Sequence, residues 1–238
     1  MSQRLNLGIL QVNHDRSVEI GDAFPDDAHR FRDLFDAQDQ RFNYRVYMTI
    51  GGEVPADVDE QDAYLITGSP LSVLDDLAFL PPLYDFIRAC DAAKKPLFGA
   101  CFGHQAIAVA LGGAVARQEW NIGIDQIQIG APLPWMTPKA ARLNLYQFHH
   151  DAVTRLPEGC TAHARSAKCD IAGFSKASHI FTTQAHPEFT DRFMRAVLEF
   201  TRPHLAEGEA ASVEATLGRP QDGALFAQWV TQFFGGRA

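Results

Sequence analysis

The sequence predicts a single-domain α/β fold: a mostly parallel sheet flanked by helices on both faces, with an antiparallel extension and further helices at the C-terminus. Three observations carry this. Short apolar runs alternate with helix-periodic stretches from Leu5 to Gly113, the order that a parallel sheet with crossover helices requires. From Ile122 onward the pattern changes to apolar and polar residues in alternation, broken by turn signals, which is the mark of antiparallel strands. After Asp191 the helical period returns and persists to the end.

Leu5 to Val12 (LNLGILQV) and Asn43 to Ile50 (NYRVYMTI) read as strands, being apolar or rich in β-branched and aromatic residues. Between them Ala28, Phe31, Leu34 and Phe35 fall at helical spacing over Asp26 to Gln38, with acidic residues in the first turn where the helix dipole favours them. Ala63 to Thr67 is a third strand, stopped by Gly68, Ser69 and Pro70, and Phe79 to Ala93 a second helix. Pro96 to Ala100 reads as a buried strand that runs into a helix over Gly103 to Leu111, ended by Gly112 and Gly113. Ile122 to Ile129 (IGIDQIQI), Leu143 to Phe148, Cys160 to Ser166 and Asp170 to Phe174 form the antiparallel extension, and Ser178 to Gln184 returns to the core. Helices over Asp191 to Thr201, Ala210 to Leu217 and Gly223 to Phe234 complete the chain. Residues 1–202 are expected to form the domain proper, and 203–238 a helical extension packed on it.

Composition narrows the function. The formal charge is −8 and the 21 Lys and Arg are scattered, which argues against a nucleic-acid partner because phosphate binding needs a concentrated basic face. No stretch is long and apolar enough for a membrane span, and Met1 to Val12 lacks the hydrophobic region and cleavage site of a signal peptide. Cys90, Cys101, Cys160 and Cys169 therefore read as free thiols in a reducing cytoplasm. No closely spaced Cys/His set suggests a metal, and no cofactor is called for.

Lys95 to Gln105 (KPLFGACFGHQ) is an apolar strand, a Gly-x-Cys-x-Gly turn and an immediate helix. That is the sequence form of a nucleophile elbow, in which flanking glycines relieve clashes at a tight strand-to-helix turn. Cys101 would then sit at the end of a strand with a helix N-terminus aimed at it, an arrangement that favours the thiolate. An isolated cysteine is more often a buried structural thiol, and it is the flanking pattern that reverses this. A cysteine nucleophile needs an imidazole and a group to fix its tautomer. Thr183 to Phe189 (TQAHPEF) supplies His186 and Glu188, with Pro187 keeping the segment extended so that the two side chains share a side. His149 and His150, followed by Asp151, either line the pocket or cap a turn. His104 reads as a packing or hydrogen-bonding residue, and His14, His29, His163, His179 and His204 have no supporting context. For the oxyanion, one backbone donor is expected from Phe102 and a second from the LITGSP turn, at Gly68 or Ser69.

These stretches together resemble the class I (triad) glutamine amidotransferase family over residues 5–200, in the family's motif order. The resemblance implies its flavodoxin-like fold and a Cys101, His186, Glu188 triad. It also implies oxyanion amides at Phe102 and Ser69, and contact of Gln105 with bound glutamine. Phe148 to Val153 (FHHDAV) looks like the family's Ser-His-x-Asp-x-Val segment bordering the glutamine pocket, which puts His149 on the substrate side; Phe148 replaces the usual serine. Ser69 stands where many members have glycine, and the tail from Pro203 is no part of the common core. Hydrolysis of the glutamine side-chain amide through a Cys101 thioester, releasing glutamate and ammonia, is the activity implied first. Such members usually pass ammonia to a synthetase, so a separate synthetase subunit or a different task is implied. The alternative is a stand-alone γ-glutamyl peptide hydrolase, and the third reading a non-catalytic module of the same fold. The tail is free to cover the site, dock a synthetase or make a homodimer contact.

Overall fold

The computed structural model describes residues 4–236, so the outermost residues of the expected 1–202 and 203–238 intervals lie outside the described residues. Leu5–Leu10 (β1) and Phe42–Tyr47 (β2) are parallel and joined by Asp27–Asp36 (α1), whose N-terminus is capped by the Asp26 carboxylate accepting from the His29 amide at 2.8 Å. Ala63–Ile66 (β3), Leu80–Ala93 (α2), Leu97–Ala100 (β4) and Phe102–Ala110 (α3) follow. Ala114–Ile129 (β5) and Arg142–Arg155 (β6) form a long antiparallel pair, and Thr161–Arg165 (β7), Gly173–Lys176 (β8) and Ile180–Thr183 (β9) lead back to the centre. Asp191–Thr201 (α4), Glu209–Glu214 (α5) and Gly223–Phe234 (α6) end the chain. One nine-stranded sheet runs β2-β1-β3-β4-β9-β8-β7-β5-β6, parallel through β9 and antiparallel beyond it.

Side chains of the central strands alternate between two cores, as a pleat with period two requires. Leu7, Ile9, Leu65, Phe98 and Phe181 join Phe31 and Phe35 of α1 and Phe226, Trp229 and Phe233 of α6 on one face. Leu10, Tyr64, Ile66, Leu97 and Ile180 meet Leu83 and Ile87 of α2 and Ile107 of α3 on the other. Burial on both faces explains why β3 and β4 read as unbroken apolar runs. A third cluster, of Ile122, Ile124, Tyr146, Phe189, Phe193, Met194, Leu198 and Val213, lies under α4 and α5.

The antiparallel pair is longer than its sequence pattern predicts. β5 begins at Ala114 rather than Ile122 and β6 runs on to Arg155, because the first half of β5 is largely half-buried or exposed and lacks the alternation that marks a half-buried strand.

Two histidines of the core make stability depend on pH. His104, in α3, is fully buried with Nδ1 2.8 Å from the Thr182 hydroxyl, and His163, in β7, is equally enclosed. Burial pushes His104 down to about 3, helped by the nearby His163, and pushes His163 down to about 4. An unfolded chain takes up a proton at each ring near pH 6.5, and the folded one only near those lower values, so stability is full above 6.5 and falls as the solution is acidified through that window. Between pH 6.5 and about pH 5 the loss should be roughly 2 kcal/mol per ring, read as a fall in the urea midpoint. His163→Leu should remove its share of the slope; an unchanged slope would count against this account.

Candidate active site

The carboxyl ends of β3, β4 and β9, adjacent in the sheet, converge on one point, the location where open α/β sheets place their ligands. Cys101 follows β4 directly and sits at φ 48°, ψ −102°, outside the common allowed regions, as an elbow residue does. Its amide is anchored to the Thr183 carbonyl at 2.8 Å, and the turn is tight enough that its glycines are obligatory. A Cβ on Gly99 would come within 2.6 Å of the Gly103 backbone, and one on Gly103 within 2.4 Å of the Ile66 carbonyl oxygen. The first helical hydrogen bond of α3 is Gln105 N–H to Cys101 C=O, so the amides of Phe102 and Gly103 open the helix without a helical acceptor.

His186 follows β9, its amide bonded to the Tyr146 carbonyl at 2.8 Å. Nδ1 lies 2.8 Å from Glu188 Oε1, and both side chains are nearly or wholly inaccessible. The contact differs from expectation in its backbone: only His186 is bridged to a strand, while Pro187 and Glu188 form a turn, with the Phe189 amide bonded to the His186 carbonyl at 3.4 Å. Phe189, which sequence reasoning missed, stacks on the imidazole with ring centres 4.0 Å apart.

Sulfur and imidazole share one small space. A Cβ built on Gly68 would be 2.9 Å from His186 Cε1 and 3.7 Å from Cys101 Cβ. Burial alone would lower the imidazole's pKa, but the Coulombic pull of Cys101 and of Glu188 outweighs it and raises it to about 10. Nε2 has no hydrogen-bond partner of ordinary geometry, which leaves this nitrogen to the sulfur and to whatever binds beside it. The geometry thus offers a thiol, a charged imidazole that a carboxylate orients, and free amides at a helix N-terminus, a set capable of acyl transfer.

The remaining expected residues fall around this point. Gly68 is buried, and Ser69 is half-buried with its hydroxyl accepting from the Leu71 amide at 3.2 Å. Gln105 is buried, and its Nε2 is committed to the Asp151 carbonyl at 2.8 Å and to Gln184 Oε1 at 3.2 Å. His149 lies in β6, 5% exposed, with Nδ1 3.1 Å from the Asp151 carbonyl; burial lowers it to about 4, so it is neutral at physiological pH. Asp151 accepts from the Ser72 hydroxyl and from Arg117 Nε at 3.2 Å, and His150 stacks on Trp120 at 4.2 Å.

A cavity of about 540 Å³ opens beside His186. Its near wall is Ser69, Phe148, His186 and Phe189, and its far walls come from the segment after β1, the start of α1 and α4, including Asn13, Phe24, Arg30, Phe193 and Phe200. The Arg30 guanidinium lies 4.0 Å over the Phe193 ring and pairs with the buried Asp27 carboxylate at 2.5 Å. Nothing in the sequence marks residues 13–30 as a cavity wall, since this stretch meets α4 only through the fold.

Several known proteins are similar to this chain. Gamma-glutamyl peptidase 3 of Arabidopsis thaliana is 29% identical over 164 residues, 65% of this chain and 66% of that protein. A glutamine-hydrolyzing GMP synthase subunit of Saccharolobus solfataricus is 32% identical over 131 residues, 53% of this chain and 67% of that protein. A crystal structure of a glutamine amido transferase from Methylobacillus flagellatus superposes with a TM-score of 0.75 at 22% identity, covering 98% of this chain and 94% of that one, which shows a shared fold. Residues 44–202, the stretch that supplies β3, the elbow and the His-Pro-Glu turn, match the family model described as Glutamine amidotransferase class-I, and with well over half of its length so matched the chain belongs to that family.

Proposed function

We propose that the protein hydrolyses the γ-amide bond of γ-glutamyl compounds whose leaving amine is larger than ammonia. Cys101 sulfur attacks the γ-carbonyl carbon, and the Phe102 amide and the Gly68–Ser69 turn take the charge that develops on oxygen. His186 protonates the departing amine at Nε2 and then takes a proton from the water that cleaves the thioester, releasing glutamate and restoring the thiol. Glu188 holds the ring.

The observation that carries the choice of substrate is the cavity. A general acid stands beside the nitrogen it protonates, so the space beyond His186 lies on the leaving-group side of the scissile bond. Ammonia needs no such space, whereas about 540 Å³ lined with phenylalanines suits a drug-sized group with an apolar body. The likeness to gamma-glutamyl peptidases supports the same reading. A second reading, glutamine hydrolysis feeding ammonia to a separate synthetase, draws on the likeness to the GMP synthase component.

The test is a panel of glutamine, γ-glutamylglycine and γ-glutamylphenylalanine on the purified full chain. The aromatic amide should exceed glutamine in kcat/KM by about 10-fold or more, the scale of a filled apolar pocket. Preference for glutamine would reject the cavity argument and favour the second reading.

The Gly68 contact yields a further expectation. In Gly68→Ala the new methyl meets His186 Cε1 at 2.9 Å, and the ring is pinned behind by Phe189, so the imidazole must shift away from its partners. Turnover should drop by about 10²-fold with little change in melting temperature, because misplacing a catalytic group by about 1 Å costs that much. Full activity in this variant would mean that the ring's position is not critical.

A further inference from the structure

We infer that Gln184 is a fourth catalytic side chain, donating its amide N–H to the Cys101 sulfur, and that Gln105 is a positioning residue that locks Gln184 in that orientation. This rests on Cys101 being the nucleophile, as proposed above, and not on the identity of the substrate.

The Asp151 backbone carbonyl can only accept, so the Gln105 side-chain atom 2.8 Å from it must be the amide nitrogen. The same nitrogen lies 3.2 Å from a Gln184 side-chain atom, which must therefore be the carbonyl oxygen. That choice turns the Gln184 NH₂ toward Cys101, where Nε2 stands 3.5 Å from Sγ. Both glutamines are buried, at 3% and 0% exposure, so water does not compete for these bonds. Local structure sets each member in place. Gln105 is four residues after Cys101 in α3 and hence on the elbow's own helix face. Gln184 follows β9, with its backbone amide bonded to the Ala172 carbonyl at 2.9 Å. A further polar contact of Sγ, the Phe148 carbonyl at 3.9 Å, is an acceptor and serves only the protonated thiol.

A donor fixed on sulfur favours the thiolate over the thiol before attack. It acts again when the tetrahedral intermediate formed by water collapses, because the C–S bond then breaks with its electron pair moving to sulfur and the amide receives that charge. His186 serves the nitrogen of the substrate; Gln184 serves the sulfur.

Alkylation by iodoacetamide reads the thiolate directly and needs no substrate, so its failure is distinguishable from failure of the γ-glutamyl reading. The midpoint of the pH profile for Cys101, followed by peptide mass spectrometry to separate it from Cys90, Cys160 and Cys169, should rise by about one pH unit in Gln184→Leu, the value of one hydrogen bond to a charged acceptor. The isosteric Gln184→Glu should raise it at least as far, since a carboxylate there repels the thiolate. Gln105→Leu, which leaves Gln184 present but unheld, should raise it by less. A wild-type midpoint in either folded Gln184 variant overturns the proposal; should neither fold, a wild-type midpoint in Gln105→Leu does so.

Discussion

Cys101→Ser should lower kcat/KM for γ-glutamyl amides by about 10⁴-fold or more while leaving the melting temperature nearly unchanged. The size of the effect follows from what surrounds the position. A hydroxyl ionises far less readily than a thiol and is the weaker nucleophile, and His186 is held as the imidazolium by the joint pull of Cys101 and Glu188. With a neutral hydroxyl in place of the sulfur, the attacking atom must lose its proton during the attack itself. The fold has no comparable stake, because serine is close in size and the backbone of the elbow, at φ 48°, is imposed by Gly99, Gly103 and the Thr183 carbonyl rather than by the side chain. Steady-state turnover with a matched thermal melt checks this, and intact mass after mixing with substrate should show a γ-glutamyl adduct on the native chain and none on the variant. A serine variant with a tenth of native activity, about 1.4 kcal/mol of lost transition-state stabilisation, would remove Cys101 from the mechanism.

The parts of this site that were legible in the sequence share one property: each lies at the end of a buried parallel strand, and such strands announce themselves as apolar runs with abrupt polar or glycine stops. Ala63 to Gly68, Pro96 to Cys101 and Ser178 to His186 all have that form, and β3, β4 and β9 are neighbours in the sheet, so residues more than a hundred positions apart meet. The nearby pair Glu188 and His186 needed only a local turn. What was not legible depends on partners that the chain brings together without local pattern. Gln184 looks like any polar residue closing a strand; its contact with Cys101 spans 83 positions and its contact with Gln105 spans 79. The long β5–β6 pair was foreshortened because Ala114 to Trp120 is half-buried or exposed and its polar residues carry no period. The cavity walls from residues 13–30 meet α4 only after the sheet is assembled, and their phenylalanines, read alone, are ordinary core residues. His163 stood in no motif and became, by burial, one of the rings that set the acid limit of the fold.

Glu188→Gln tests the least conspicuous member of the triad and should cost about 10⁴-fold in kcat at neutral pH, as expected when an imidazole loses the anion that fixes its tautomer. Glutamine preserves the shape, so the turn over 186–189 and the Phe189 stack should survive. Its chemistry is opposite. The native carboxylate, wholly buried and 2.8 Å from Nδ1, accepts that proton and leaves Nε2 to exchange protons with the sulfur and the leaving amine. An amide NH₂ in the same place donates to Nδ1, forcing the proton onto Nε2, the nitrogen that must be free to receive one. The variant should also change the pH profile in a determined direction. In the native site the imidazolium persists to about 10, so the acid that protonates the amine is present below that value and lost as pH rises through it. Glu188 is one of the two charges holding that value up; without it the burial of His186 acts less opposed, and the alkaline limb must move to lower pH. A structural role alone would lower activity at every pH by the same factor. The two cases separate on one plot of kcat against pH: an alkaline limb that stays in place in the folded variant would show that Glu188 packs the turn and does nothing for the proton.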